Sequence, residues 1–160
     1  RSNYGIPLGR DLTVSWDYPA DLPILWTDDE KLKAVIQNLI NNAIKFTEKG
    51  KVTVVVRHLA QTRAIEFKIS DTGIGIPKEK VETVFDMFQQ VDSSATRKFG
   101  GVGLGLYIVR KFTELLGGTV AVESEFERGS TFTVTLPIQA DAPGQPKPKR
   151  EPLRDGAPDF

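Results

Sequence analysis

The sequence of 160 residues contains no cysteine and a single histidine, His58. The first absence excludes disulfides, thiol nucleophiles and zinc–thiolate sites; the second excludes His-rich metal centres and leaves a serine–histidine triad one residue to draw on. No apolar run approaches the roughly 20 residues that a membrane-crossing helix needs. The opening Arg1-Ser2-Asn3 has no apolar signal-peptide core, so a cytoplasmic domain without direct membrane contact is expected. Net charge is also missing, with 21 Lys and Arg against 21 Asp and Glu. A neutral chain gives no reason to expect nucleic acid as a partner, although a few local groups suffice for a small anion. With 39% hydrophobic and 26% charged residues, the composition is that of one ordinary globular domain.

Five of the ten prolines fall after Asp141, at 143, 146, 148, 152 and 158, next to the basic Lys147-Pro148-Lys149-Arg150. That composition marks 141–160 as a tail or linker and 1–140 as the globular domain. Within it, Leu12, Val14, Trp16 and Tyr18 alternate with polar residues, which predicts a strand ended by Pro19. Thr27 and Glu30 fit a capping box before a helix whose stripe is Leu32, Val35, Ile36, Leu39, Ile40, Ala43 and Ile44. Strands follow at 52–58 and 65–70. A short helix opens at Pro77, with Val81, Val84, Phe85 and Phe88 on one face. The next helix runs from 103 to 116, buries Ile108, Val109, Phe112 and Leu115, and stops at Gly117-Gly118. Strands at 119–123 and 130–137 close the domain as a hairpin. The order β-α-β-β-α-α-β-β implies a two-layer α/β sandwich, a mixed sheet of about five strands covered on one face by about three helices.

Three stretches carry more than structure requires. On the first helix Asn38, Asn42 and Lys45 fall at i, i+4 and i+7, with Asn41 beside them, opposite the apolar stripe. Asparagine is a poor helix former, so this cluster reads either as a solvated polar face or as amide oxygens facing a hard cation. Mg²⁺ takes such ligands together with phosphate and water, and Lys45 one turn on meets phosphate charge. Asp71-Thr72-Gly73-Ile74-Gly75-Ile76-Pro77 ends a strand with a carboxylate able to accept from an exocyclic amine such as that of adenine. There Ile74 and Ile76 offer a ring apolar surface, and the glycines let backbone approach it. Gly100-Gly101-Val102-Gly103-Leu104-Gly105-Leu106 enters a helix, whose N-terminus suits phosphate. It is neither the dinucleotide-fold fingerprint nor a P-loop. The polar stretch before it, with Arg97 and Lys98, reads either as a flexible surface loop or as a lid reaching phosphates.

Asn38-Leu39-Ile40-Asn41-Asn42-Ala43-Ile44-Lys45-Phe46-Thr47 resembles the N box of sensor histidine kinases. Asp71 to Pro77 is similar to their first glycine box, Val84-Phe85-Asp86-Met87-Phe88 to the F box, and Gly101 to Leu106 to the second glycine box. Gly129-Ser130-Thr131-Phe132 matches the closing segment. These motifs, in order over most of residues 12–138, identify a member of the Bergerat-fold ATPase and kinase group that resembles the ATP-binding catalytic domain of a two-component histidine kinase.

That resemblance implies ATP and Mg²⁺ as cofactors. It makes Asn42 the Mg²⁺ ligand, with Asn38 supporting it, Lys45 near the phosphates and Phe46 beside the adenine. Asp71 would recognise the adenine amino group, with Thr131 joining through water and Ile76 flanking the ring. Gly73, Gly75, Gly101, Gly103, Leu104, Gly105 and Leu106 would shape pocket and lid, and Arg97 would contact the γ-phosphate. The family's acceptor histidine lies in a helical dimerisation segment rich in His-Glu and Pro. No such motif is present, and His58 sits in a strand, so it reads as structural or exposed. The implied partners are therefore a separate histidine-bearing dimerisation domain of the parent kinase and, downstream, a response-regulator receiver domain. The alternatives are a conformational ATPase or a nucleotide-sensing module of the same group. The ATPases carry a glutamate base one turn before the Mg²⁺ asparagine, where this chain has Asn38, whose amide is no base.

Overall fold

The computed structural model describes residues 2–7, 11–86 and 105–139. Six strands form one sheet: β1 (Ser2–Pro7), β2 (Leu12–Tyr18), β3 (Gly50–Leu59), β4 (Ala64–Asp71), β5 (Thr119–Glu125) and β6 (Gly129–Pro137). Their spatial order is β1-β2-β3-β4-β6-β5. Only β2 and β3 run parallel, because the helix α1 (Asp29–Phe46) carries the chain back between them; the other neighbours are antiparallel. Two further described helices, α2 (Lys78–Val81) and α3 (Gly105–Leu115), complete the second layer. The mixed one-sheet α/β architecture is the expected one. β1 adds an edge strand to the five read from the sequence, paired along all of β2 from Ser2 opposite Tyr18 to Pro7 opposite Thr13.

The core lies between the sheet and the helices. Leu12, Val14, Val52, Val54, Ile69, Val134 and Leu136 project from alternate strand positions onto Val35, Leu39 and Ala43 of α1 and Val109 of α3. The intervening positions carry polar side chains on the other face, where Ser15 reaches Thr53 (3.4 Å) and Ser70 reaches Thr131 (2.9 Å). Two local expectations shift by a residue, and a third concerns the length of a helix. Asp28, not Thr27, caps α1, its carboxylate accepting from the Lys31 backbone N–H at 3.1 Å. Leu115 is exposed and Leu116 buried, because α3 ends at 115 and the chain turns there through Gly117 (φ +78) into β5. The helix opening after Pro77 is a single turn; Val84 and Phe85 are nevertheless buried, Phe85 edge-on to Phe132 at 5.9 Å between ring centroids. Phe88 lies outside the described residues, as does 140–160.

Candidate functional site

The C-terminal end of α1, the end of β4 and the start of β6 converge on one side of the sheet. α1 stops where Thr47 turns extended, which leaves the Phe46 carbonyl without an intrahelical partner. The loop after β4 supplies one: the Ile74 N–H donates to the Phe46 oxygen at 3.2 Å. Gly73 fits there because it has no Cβ, which would stand 2.2 Å from that oxygen. Gly75 has φ +66, and a Cβ on it would stand 2.1 Å from the Glu125 carbonyl. The loop is therefore wedged between the end of α1 and the β5–β6 turn, where the Glu127 N–H donates to the Ile74 oxygen at 2.7 Å.

These pieces line a pocket that opens to solvent. Phe46, Ile74, Ile76, Leu106 and Phe132 give it apolar walls. Its polar groups are Asp71, Asn42 and Ser130. An apolar slot with a few convergent polar groups suits a flat heterocycle.

Asp71 ends β4 opposite Ser130, and its Oδ1 accepts the Gly73 N–H at 2.9 Å. Burial raises its pKa above the ordinary carboxylate value, opposed by the backbone N–H groups of Gly73 and Ser130 and by the nearby Thr47 hydroxyl. That hydroxyl is fully buried and makes no hydrogen bond of its own with good geometry. Because the folded protein holds the Asp71 proton more tightly than the unfolded chain does, the group favours folding most at low pH. This contribution is lost as pH rises through the ordinary carboxylate range to the raised value. The difference in unfolding free energy, wild type minus Asp71→Asn, should therefore decline as pH rises from the ordinary carboxylate range in urea titrations. A difference that grows as pH rises would contradict the burial effect.

Along α1, Asn38 and Asn42 are half-buried and face the start of α3, whereas Asn41 is exposed. The Asn38 amide donates to the Ala34 carbonyl at 2.8 Å. Its Oδ1 is thereby turned towards Gly105, where a Cβ would lie 3.1 Å away; the Asn42 amide nitrogen would be at 3.8 Å. Gly105 thus lets the N-terminus of α3 approach the asparagine pair. Lys45 places its ammonium 5.4 Å from the centre of the Phe46 ring.

The structure therefore brings Asn42, Phe46, Asp71, Gly75, Ile76 and Leu106 around one pocket, with Asn38, Lys45, Gly73 and Gly105 next to it. Arg97, Gly101, Gly103 and Leu104 lie outside the described residues. Thr131 requires correction: it bonds Ser70 on the opposite face of the sheet, and its neighbours Ser130 and Phe132 line the pocket instead. Strand alternation is the reason, since one residue's displacement changes the face. The register partner of Asp71 is Ser130, a pairing visible only once the strands are aligned. His58 is exposed on β3, outside the pocket, beside a separate groove that includes Asp17 and Asp21.

A one-sided α/β sandwich with a carboxylate at the floor of an apolar slot, and asparagines facing a helix N-terminus, defines a nucleotide-binding domain. Residues 27–140 match the family model "Histidine kinase-, DNA gyrase B-, and HSP90-like ATPase", and the chain belongs to that family. Its relatives include proteins named as sensor kinases and signal transduction histidine kinases. The chain is 38% identical over 157 residues to the autoinducer 2 sensor kinase/phosphatase LuxQ of Vibrio vulnificus, covering 90% of this chain and 18% of LuxQ. It is 45% identical over 127 residues to the signal transduction histidine-protein kinase BarA of Escherichia coli, covering 77% of this chain and 14% of BarA. Among solved structures, full-length ShkA in complex with AMPPNP superposes with a TM-score of 0.69 at 29% identity, over 82% of this chain and 26% of that one. The mycobacterial sensor histidine kinase MprB gives 0.66 at 26% identity, over 79% of this chain and 82% of that one. The chain spans less than a fifth of the length of the curated relatives LuxQ and BarA. Among the described residues, no helix is long and apolar enough to cross a membrane.

Proposed function

We propose that this domain holds ATP·Mg²⁺ between α1 and α3 and presents the γ-phosphoryl group to a histidine nitrogen on a separate helical dimerisation domain. A response-regulator receiver domain would accept the phosphoryl group afterwards. The carrying observation is Gly105 packed against Asn38 and Asn42, which sets side-chain amides against a helix N-terminus. There, N–H groups and the positive end of the helix dipole favour phosphate oxygens.

The donor set fits Mg²⁺. Asn42, which lines the pocket, would hold the ion through its side-chain amide oxygen, with phosphate oxygens and water as the remaining ligands. When bound, such an ion neutralises charge between the phosphates. The chain's own residues bind and orient. Asp71 accepts from the exocyclic amine of the base, the apolar walls exclude water from the ring, and Lys45 and Arg97 add positive charge towards the phosphates. The acceptor nitrogen attacks phosphorus as the bond to ADP breaks, so the domain's contribution is positioning and electrostatic stabilisation.

Hydrolysis is the less favoured output. Among the described residues, the only carboxylate lining the pocket is Asp71, at the base end, and Asn38 spends its amide on Ala34. None of the described residues lining the pocket beyond the base end is a base able to take a proton from water.

The test mixes this chain with a separately made helical domain bearing a histidine, Mg²⁺ and γ-labelled ATP. Acid-labile label on the acceptor is expected, with Asn42→Ala slowing transfer by about tenfold or more, the effect of losing one charge-stabilising group. Steady release of free phosphate with no label on the acceptor would instead make the domain an ATPase.

A further inference from the structure

Ser124 lies near the end of β5, opposite Ser130 of β6, which in turn lies opposite Asp71 of β4. These three residues form one row across three strands. The Ser124 Oγ is 2.7 Å from the Ile76 backbone nitrogen, 2.8 Å from the Ser130 Oγ and 3.0 Å from the Gly129 carbonyl oxygen. A hydroxyl has one proton and two lone pairs. The Ile76 N–H only donates and the Gly129 carbonyl only accepts. The arrangement that makes all three bonds therefore has a single solution: Ser124 donates to Gly129 and accepts from both Ile76 and Ser130. The Ser130 proton is thereby committed to Ser124, away from any ligand.

We propose that Ser124 is a positioning residue which, by taking the Ser130 proton, makes the base end of the pocket an acceptor-only surface selective for a purine with an exocyclic amine. This rests on the reading of the pocket as a nucleotide site. Ser130 lines the pocket, and with its proton engaged it offers lone pairs there, beside the carboxylate of Asp71. A 6-amino group donates to such a surface, whereas a 6-oxo group places a third acceptor against two. Without the Ser124 hydroxyl, the Ser130 O–H is free to rotate and donate to a 6-oxo group. The Ile76 N–H loses its partner at the same time, so a weaker overall affinity alone would not separate the two effects. The ratio of affinities does.

The experiment is a competition titration of the full chain with ATP and with ITP, which carries a 6-oxo group, using a fluorescent nucleotide as reporter. Ser124→Ala should narrow the ATP-to-ITP preference by about 3- to 20-fold, the range of one hydrogen bond changing polarity. Ser130→Ala leaves the Ser124 bond to Ile76 in place. It should narrow the preference as well, and Ser124→Ala should add nothing in that background. A wild-type ratio in Ser130→Ala, or a full effect of Ser124→Ala in the absence of the Ser130 hydroxyl, would overturn the proposal. If the wild-type chain binds neither nucleotide, the nucleotide reading falls, and this proposal with it. An ATP-binding wild type with an unchanged ratio in the variants overturns this proposal alone.

Discussion

Replacing Asp71 by asparagine should weaken ATP binding by roughly 10- to 100-fold, the value of a hydrogen bond to a charged group. The geometry explains why the isosteric change is so damaging. Oδ1 of Asp71 is already occupied by the Gly73 N–H at 2.9 Å. An asparagine in the same rotamer keeps its oxygen there and turns its NH₂ into the pocket, donor against the amine of the base. Rotating the amide to correct this sets NH₂ against the Gly73 N–H instead. The same substitution removes a buried charge that costs stability at neutral pH, so the loss of binding should not come with a comparable loss of fold. Calorimetric titration with ATP, paired with thermal unfolding of the ligand-free chain, separates the two. Unchanged affinity in Asp71→Asn would remove the carboxylate from the site.

The second large effect is expected at Gly75. A valine there would have to adopt φ +66, a backbone conformation that costs a non-glycine residue about 1–3 kcal/mol. Its Cβ would also stand 2.1 Å from the Glu125 carbonyl, backbone that cannot rotate aside. The loop must then leave the β5–β6 turn, breaking the Glu127–Ile74 bond and the Ile76–Ser124 bond and moving two pocket walls, Ile74 and Ile76. Gly75→Val should therefore lose more than about tenfold in ATP affinity, together with a drop in melting temperature of several degrees. Wild-type affinity in this variant would mean that the loop is not held as described. The two variants differ in kind: Asp71→Asn acts on chemistry with the loop in place, and Gly75→Val acts on the loop with the chemistry intact.

How much of this was legible in the sequence depends on the distance over which each feature is determined. The asparagines and Lys45 follow from helical spacing, and Asp71 with its glycines from a strand ending in a turn, whereas Phe46 comes only with the family resemblance. Both patterns are local, and the structure gathers them around the pocket. The features that escaped are set by register between strands. Thr131 and Ser130 are indistinguishable until β6 is laid against β4, and the bond from Ile76 to Ser124 spans 48 residues. In the sequence Thr47 is only the last residue of the asparagine-rich motif, and only the fold shows that its buried hydroxyl stands near Asp71 and Gly73. β1 was missed for another reason. Ser2–Pro7 has no alternating apolar pattern, and as an edge strand it is specified largely by backbone pairing with β2. The buried leucine at the end of α3 was misplaced by one because helical periodicity does not say where the chain leaves the helix.

The neutral charge balance acquires a different meaning once the site is assembled. Binding a polyanion requires positive potential only where the phosphates sit. In the proposed site a helix N-terminus facing two amides would supply it without altering the total of 21 against 21.

The most direct measurement of the central claim is an amide-resolved NMR titration of the chain with ATP and Mg²⁺. The largest shifts are expected at Gly73, Gly75, Ile76, Gly105 and Ser130, with Arg57 and His58 at the separate groove on β3 unmoved. Saturable shifts centred on that groove, with the loop after Asp71 silent, would contradict the assignment.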